Sequence, residues 1–327
     1  MKFKLQDEPL ICGDEHNTQK TLARTQHLYE LLESFQKDVI HLGDIFHTKE
    51  QVSSKALNLV YRLLKQSKIN HVILVGNHDF HSAECEDHSL RVLNELPNVL
   101  VVDTPAVLEI GSSRGLFLPY HRDPTRFEYT LTQFVKMSAP LDILFMHQGV
   151  TGFDYGNGHI ATNELDSKVV RGFKKVVSGH FHKHQKKGNL WFLGMPYSND
   201  FGESNQDKYL GILKSNLSIE LILTDFPKHK TWELSVPCVT PPYWGGPEFK
   251  ETDIHRIILV GKSEDIKEFP KDQYPGVRFI ERPLQIAAPN LLVDKLSNEA
   301  KFQLWAKDRL DYETETLGLE ILVGVKP

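Results

Sequence analysis

Short apolar runs that stop at a glycine and then turn polar recur through the first half of this chain. Residues 9–12 give way to Gly13-Asp14-Glu15-His16, residues 39–42 to Gly43-Asp44, and residues 71–75 to Gly76-Asn77-His78-Asp79. Runs this short and this apolar suit buried strands. Helical spacing separates them. Leu28, Leu31, Leu32 and Phe35 share one face of a helix predicted over 18–38. Val52, Ala56, Leu57, Val60, Leu63 and Leu64 share the buried side of a second helix. A third helix is predicted over 84–95 and a strand over 99–102. This strand–helix alternation predicts an α/β layered fold.

The pattern changes from Val107. Residues 107–110 and 115–120 read as paired strands around Gly111-Ser112-Ser113, and 124–138 as a helix. Residues 141–146 form an apolar strand ending at His147, and 174–178 a strand ending at Gly179-His180-Phe181-His182. Further strands are predicted over 191–194, 210–213, 219–223 and 231–236, so two packed sheets with helices outside are expected. The segment CVTPPYWGGPE breaks the pattern, and 237–249 is assigned as a linker. Beyond it, 250–289 reads as a small β-α-β domain. Residues 290–327 read as a tail opening with an amphipathic helix that carries Leu292, Leu296, Phe302, Trp305 and Leu310. The main domain is then 1–236.

Composition adds limits. Hydrophobic content of 40% and charged content of 25% are ordinary for a globular chain. The net charge of -5 means that any nucleic-acid contact must come from a local patch. Cys12, Cys85 and Cys238 are far apart and form no C-x-x-C, which points to a reducing compartment and to packing roles for Cys12 and Cys85. The N-terminus has no signal-like apolar stretch, and no run approaches the roughly 20 residues of a membrane span, so a cytoplasmic protein without membrane contact is expected. Histidine is unevenly spread: 14 of the 16 precede residue 185, which marks the first part of the chain as the chemical one.

Five strand ends carry ligand-type groups: Asp14 and His16; Asp44 and His47; Asn77, His78 and Asp79; His147; His180 and His182. Strand ends on one sheet edge converge in space. Carboxylate, amide and imidazole donors without thiolate suit manganese, iron or zinc better than calcium. The set is large enough for two ions sharing a bridging carboxylate, for which Asp44 on a central strand is the choice. Taken alone, His147 would be a satisfied core histidine; four companion motifs in order make it a ligand. His41, inside a strand, reads as structural. His81, His88 and His184 read as surface or supporting groups.

The order D-x-H, G-D, G-N-H-D, H, G-H-x-H over residues 14–182 resembles the calcineurin-like metallophosphoesterases. The resemblance implies an α/β (α+β) fold: a four-layer β-sandwich flanked by helices, here followed by a small C-terminal α/β capping domain. It implies a dimetal centre in which Asp14, His16, Asp44 and His182 hold one ion, and Asp44, Asn77, His147 and His180 hold the other. His78 matches the family's histidine that assists at the scissile phosphate, with Asp79 orienting it. Gly43-Asp44-Ile45-Phe46-His47, with His47 where serine/threonine phosphatases carry an arginine-bearing sequence, resembles the SbcD-type nucleases. So does Gly194-Met195-Pro196-Tyr197-Ser198-Asn199-Asp200-Phe201-Gly202-Glu203, and the size resembles the exonuclease subunit of tailed bacteriophages. Asn17-Thr18 departs from the small apolar residue and glycine usual after the first motif.

That likeness implies a DNA exonuclease, with single-strand endonuclease action in its range, using Mn2+ or Mg2+. It would work in recombination, repair or phage replication. The implied partners are DNA, an SbcC-like ATPase docked on the C-terminal segment, and a second copy of the chain meeting through the helices after Thr48 and Glu84. His47 would position DNA; His121, Arg122, Lys183, Lys186 and Lys187, with Lys174 and Lys175 nearby, are the backbone-binding candidates. The competing readings are a phosphomonoesterase or nucleotidase, and a non-catalytic DNA-binding scaffold.

Overall fold

The computed structural model describes residues 3–48, 51–81, 87–138, 140–237, 250 and 252–284. Strand β1 (Lys4–Leu5) precedes β2 (Leu10–Cys12). Helix α1 (Leu22–Ser34) leads to β3 (Val39–His41), and helix α2 (Ser54–Gln66) to β4 (His71–Leu74). A 3-10 turn (Arg91–Glu95) leads to β5 (Val99–Val102). The hairpin of β6 (Ala106–Ile110) and β7 (Ser113–Leu118) is followed by α3 (Pro124–Met137) and β8 (Ile143–His147). Then come β9 (Lys175–Gly179), β10 (Gln185–Lys187), β11 (Leu190–Phe192), β12 (Tyr209–Leu213), β13 (Ile219–Leu223) and β14 (His229–Ser235). The last described elements are β15 (Ile254–Gly261), α4 (Ser263–Glu268) and β16 (Arg278–Pro283).

One sheet has the order β13-β12-β2-β3-β4-β5, the other β1-β6-β7-β8-β9-β11-β10. β2 to β5 are mutually parallel, as are β7, β8, β9 and β11. Side-chain alternation decides the layers. Ile11, Ile40, Leu42, Val72 and Leu74 face Phe117, Ile143, Phe145 and Val177 in one core between the sheets. The alternate residues turn outward. Ile73 and Val75 pack with Ala56, Val60 and Leu64 of α2, and Leu10, Cys12 and Val39 pack with Leu28 and Leu32 of α1. Leu116, Leu144 and Met146 pack with Phe127 and Leu131 of α3. The result is four layers: helices, sheet, sheet, helix. At roughly 1.5–3 kcal/mol per fully buried large apolar side chain, the shared core holds the two sheets in register. Their parallel strands therefore deliver their C-terminal ends to a common edge.

A separate three-stranded sheet has the order β14-β15-β16. It takes β14, which the sequence reading placed at the end of the first domain, into the same sheet as the strands of the β-α-β segment. The described residues divide into two compact units, one holding those within 3–234, 250–258 and 270–280, the other those within 235–237, 259–269 and 281–284. Residues 238–249 of the linker, the helix expected over 291–310, Cys85, Cys238 and Glu84 lie outside the described residues.

Three expectations shift. The helix predicted over 18–38 is shorter at both ends. Asn17 forms a bridge with Phe46, and Thr18 and Thr21 close a turn through Thr18 N–Thr21 Oγ1 (2.9 Å) before α1 begins. Gln36, at φ 52°, ends α1 with a left-handed residue. The helix predicted over 84–95 is, in its described part, only the 3-10 turn. Phe80 and His88 form a bridge and Ser89 N donates to Asp79 O (2.9 Å), drawing the chain back onto the third motif. Pro97 also disfavours helical backbone at Leu96. Strands β1 and β10 have no apolar alternation and were not predicted.

Candidate metal centre

All five polar strand ends meet at the edge where β2, β3, β4, β8 and β9 finish. Their backbones interlock. His180 N donates to Asp14 Oδ2 (2.9 Å), and His78 N donates to Asp44 Oδ1 (2.7 Å). Glycine precedes the ligand-type residues because nothing larger fits: a Cβ on Gly76 would fall onto the Asp44 carboxylate, and one on Gly43 would lie 2.5 Å from His147 Nδ1. His16, Asp44 and His180 adopt left-handed φ values of 48°, 52° and 87°. Such non-glycine conformations cost of order 1–3 kcal/mol each and persist where surrounding structure over-determines them.

Two groups of donors result. Asp14, His16 and His182 bring donor atoms within 4.8 Å of one another, as do Asp14, Asp44 and His147. His16 Nε2 lies 3.0 Å from His182 Nε2 and 3.6 Å from Asp44 Oδ2. On the other side of Asp44, His147 Nε2 is 3.4 Å from Asp44 Oδ2 and 3.0 Å from Asn77 Oδ1, and His180 Nδ1 is 2.7 Å from the same amide oxygen. Asp44 Oδ2 lies between the two groups, within 3.6 Å of His16 Nε2 and 3.4 Å of His147 Nε2.

The donor chemistry fits divalent cations. His147 Nδ1 sits 2.6 Å from Leu42 O, and a carbonyl can only accept, so this nitrogen carries the proton. Its bare Nε2 then faces the oxygens of Asp44 and Asn77. Lone pairs at such distances repel unless positive charge lies between them. Without an ion the only remedy is a proton. Burial works against it, but the Asp44 and then the Asp14 carboxylates hold His147 up at about 9. Asp44 moves down, because His147 and His16 outweigh its burial. His16 and His180 are held at about 3, by burial above all, and so stay neutral. Neutral imidazoles and an ionised carboxylate are the forms that bind metal.

A family model for calcineurin-like phosphoesterases matches residues 9–184, more than half of the chain. The chain belongs to that family. It is 27% identical over 286 residues to "Putative phosphoesterase 244L" of Invertebrate iridescent virus 6, covering 81% of this chain and 97% of that protein. It is 23% identical over 241 residues to "Exonuclease subunit 1" of Enterobacteria phage T4, covering 71% of this chain and 68% of that protein. A calcineurin-like phosphoesterase is a hydrolase built around divalent ions, and Asp14, His16, Asp44, Asn77, His147, His180 and His182 are residues here that could hold them.

The remaining residues divide clearly in this phosphoesterase. His78 lies beside the donors: its ring meets His16 edge-on at 4.7 Å and stacks on His47 at 5.7 Å. His78 Nδ1 donates to His47 O (2.6 Å), which leaves Nε2 available. Asp79 was expected behind His78. Its carboxylate instead accepts from Gly76 N (2.9 Å) and Phe46 N (3.2 Å), tying the third motif to the second; the orienting group is the His47 carbonyl. His47 itself is exposed at the rim, with Nδ1 3.3 Å from His16 Nδ1. His121 and Arg122 follow Tyr120, whose ring stacks against His180 at 6.0 Å, so they lie near the centre. Lys183 is ion-paired to Asp154 (2.7 Å), and Lys187 donates to Gly152 O. Lys186 and Lys175 both lie 4.8 Å from the Trp191 ring. Of the lysine cluster, Lys183 is therefore already neutralised locally, and Lys174 is paired to Asp142.

Sequence reasoning missed three supporting groups. Glu15 accepts from Asn17 Nδ2 (2.8 Å) and from His41 Nδ1 (2.7 Å). Gln148, buried next to His147, bonds Ser178 through its backbone (3.1 Å) and accepts from His121 N (3.3 Å). Glu203 stands behind His182 at 2.9 Å. Only Glu203 had a signal, since it closes the quoted Gly194–Glu203 motif.

Proposed function

We propose that this chain is a metal-dependent DNA nuclease that hydrolyses phosphodiester bonds at DNA ends, with Mn2+ as its working ion. The observation that carries the reading is the 241-residue likeness to a phage exonuclease subunit, which is longer than the stretch matched by the general family model. The site's accessibility supports it. Asn77, His78, His180 and His182 are half-buried and His47 is exposed, so the donors open onto a sheet edge that a polymer backbone can reach. An all oxygen-and-nitrogen donor set supports manganese.

When bound, the two ions supply positive charge to the phosphate oxygens and Lewis acidity toward the attacking water. The donor residues hold that charge at one spot and keep it dry from behind, because Asp14, Asp44 and His147 are fully buried. As the P–O bond breaks, the departing oxygen needs a proton. His78 Nε2 delivers it from the imidazolium form, while the His47 carbonyl keeps the ring aimed. His47, His121 and Arg122 guide the strand. The chain acts as a homodimer with an SbcC-like ATPase, in recombination, repair or phage replication.

The test is incubation with linear duplex and single-stranded DNA in Mn2+ or Mg2+, with and without the ATPase partner, beside a chromogenic phosphomonoester. Metal-dependent shortening of DNA supports the proposal. Rapid monoester hydrolysis with DNA left intact favours the nucleotidase reading instead. His180→Ala and Asn77→Ala should each abolish DNA cleavage; a folded variant cleaving at the normal rate would sink the assignment.

A further inference from the structure

The histidines of the two half-sites are backed differently. His147 Nδ1 meets a neutral carbonyl, Leu42 O, at 2.6 Å. His182 Nδ1 meets a carboxylate, Glu203 Oε1, at 2.9 Å. That carboxylate is built in from all sides. The 3-10 turn Phe201–Glu203 presents it, started by Asp200, whose side chain accepts from Gly202 N (2.6 Å). Glu203 Oε2 accepts from Lys208 Nζ at 2.6 Å and from Asn199 N at 3.2 Å. Lys208 Nζ also donates to His182 O at 3.1 Å. The ammonium and the carboxylate have side-chain exposures of 2% and 8%. A buried lysine is rarely kept without a partner, and here it bonds both the backbone of His182 and the group behind its ring.

We propose that Glu203 is the positioning residue of the Asp14–His16–His182 half of the centre, and that Lys208 holds it in place. The inference rests on the reading of His182 as a metal ligand. Glu203 Oε2 already accepts from Lys208 Nζ and Asn199 N, and Oε1 meets His182 Nδ1 as an acceptor, so Nδ1 carries the proton. Nε2 is then the bare nitrogen, and it is this atom that lies 3.0 Å from His16 Nε2. Glu203 thus selects the tautomer, fixes the ring plane and makes the ring a stronger donor. Carboxylate-backed histidines commonly owe 10–100-fold of their metal affinity to that partner. Behind His147 stands the Leu42 carbonyl at 2.6 Å and no glutamate of this kind among the described residues, so losing Glu203 should weaken one half alone. Glu203 touches neither substrate nor reacting atoms in this scheme; it acts through His182.

The experiment is Mn2+ titration of the full-length protein without DNA, read by calorimetry and by the electron paramagnetic resonance of free Mn2+. The proposal expects two bound ions in the wild type. In Glu203→Gln one of them should bind about 10–100-fold more weakly, with the other unchanged. Glu203→Gln leaves Lys208 buried and unpaired, so Glu203→Gln combined with Lys208→Met is the companion variant that keeps the fold without a stranded charge. Long-range proton–nitrogen NMR should show His182 protonated on Nδ1 in the wild type and mixed between tautomers in the variants, a change that a merely structural glutamate would not cause. Folded variants with two wild-type affinities and an unmoved His182 tautomer overturn the role of Glu203 and leave the nuclease reading standing. A wild-type protein that takes up no divalent ion overturns both.

Discussion

His78 differs from the other histidines of the centre in what its nitrogens face. His147, His180 and His182 present a nitrogen to a donor cluster, whereas His78 Nδ1 is engaged by the His47 carbonyl and its ring is half-exposed. There is a rival arrangement, because His16, His47 and His78 also bring donor atoms within 4.8 Å of one another. Metal content separates the two. In His78→Ala, elemental analysis should find the wild-type complement of Mn2+, while the turnover of a phosphodiester falls by about 10²–10⁴, the usual contribution of one general acid. Loss of an ion would move His78 into the ligand set. At this scale the ligand residues were legible because they follow apolar runs, with Asp14, Asp44, Asn77 and His180 each directly after a glycine. Glu15 was not, because its contacts with Asn17 and His41 follow no spacing rule, and Glu203 was visible only as the end of the Gly194–Glu203 motif, not as the partner of His182. The role of Asp79 was misplaced for a related reason: adjacency in sequence suggested contact with His78, but the turn aims its carboxylate at Gly76 N and Phe46 N.

At the element scale, β3 and β4 carry a second polar system on the face opposite the core. Glu15, His41, His71 and Ser67 form a chain of contacts of 2.7, 3.0 and 2.9 Å beneath α1, with the ring of Tyr29 stacked over both histidines. Burial first, and then His41, push His71 well below 6.5, so the folded protein holds it neutral. The unfolded chain takes up a proton near pH 6.5, and the folded one does not. Stability is therefore unaffected by this group above about pH 6.5 and falls as the pH drops below it, by roughly 1.4 kcal/mol per pH unit for one proton. His71→Asn should flatten the acid limb by about that slope. Urea unfolding of the metal-free protein between pH 7.5 and 5.5 checks it, and parallel limbs for variant and wild type would refute it. His41 was readable as structural from its place inside a strand. The true limits of α1 were not readable, because the turn before it is set by Asn17 pairing with Phe46, a residue from another motif.

At the scale of the whole molecule, the centre joins the two sheets. Asp14, His16, Asp44 and Asn77 follow strands of the six-stranded sheet; His147, His180 and His182 belong to strand ends of the seven-stranded one. Bound ions would tie these layers together in the folded state and have no such site in the unfolded chain. An ion present at 100 times its Kd then adds about 2.7 kcal/mol, so Mn2+ should raise the melting temperature by several degrees and a chelator should reverse the change. His180→Ala should lose most of the shift, and His78→Ala should keep it. A melting temperature indifferent to both Mn2+ and chelator would contradict this account. Among the described residues no helix is long and apolar enough to cross a membrane.

The sequence alone determined the strands that carry the donors, the donor types, and the order in which they occur. Those depend on local periodicity and on residue chemistry, and both are written along the chain. Tertiary structure alone decided which nitrogen of each histidine is free, which carboxylate stands behind which ring, and which lysines are already paired. It also decided that β14 joins the small sheet. The reason is physical: a tautomer, an ion pair or a strand partner is chosen by a group that arrives from elsewhere in the fold, often a hundred or more residues away, and its distance in sequence says nothing of its distance in space.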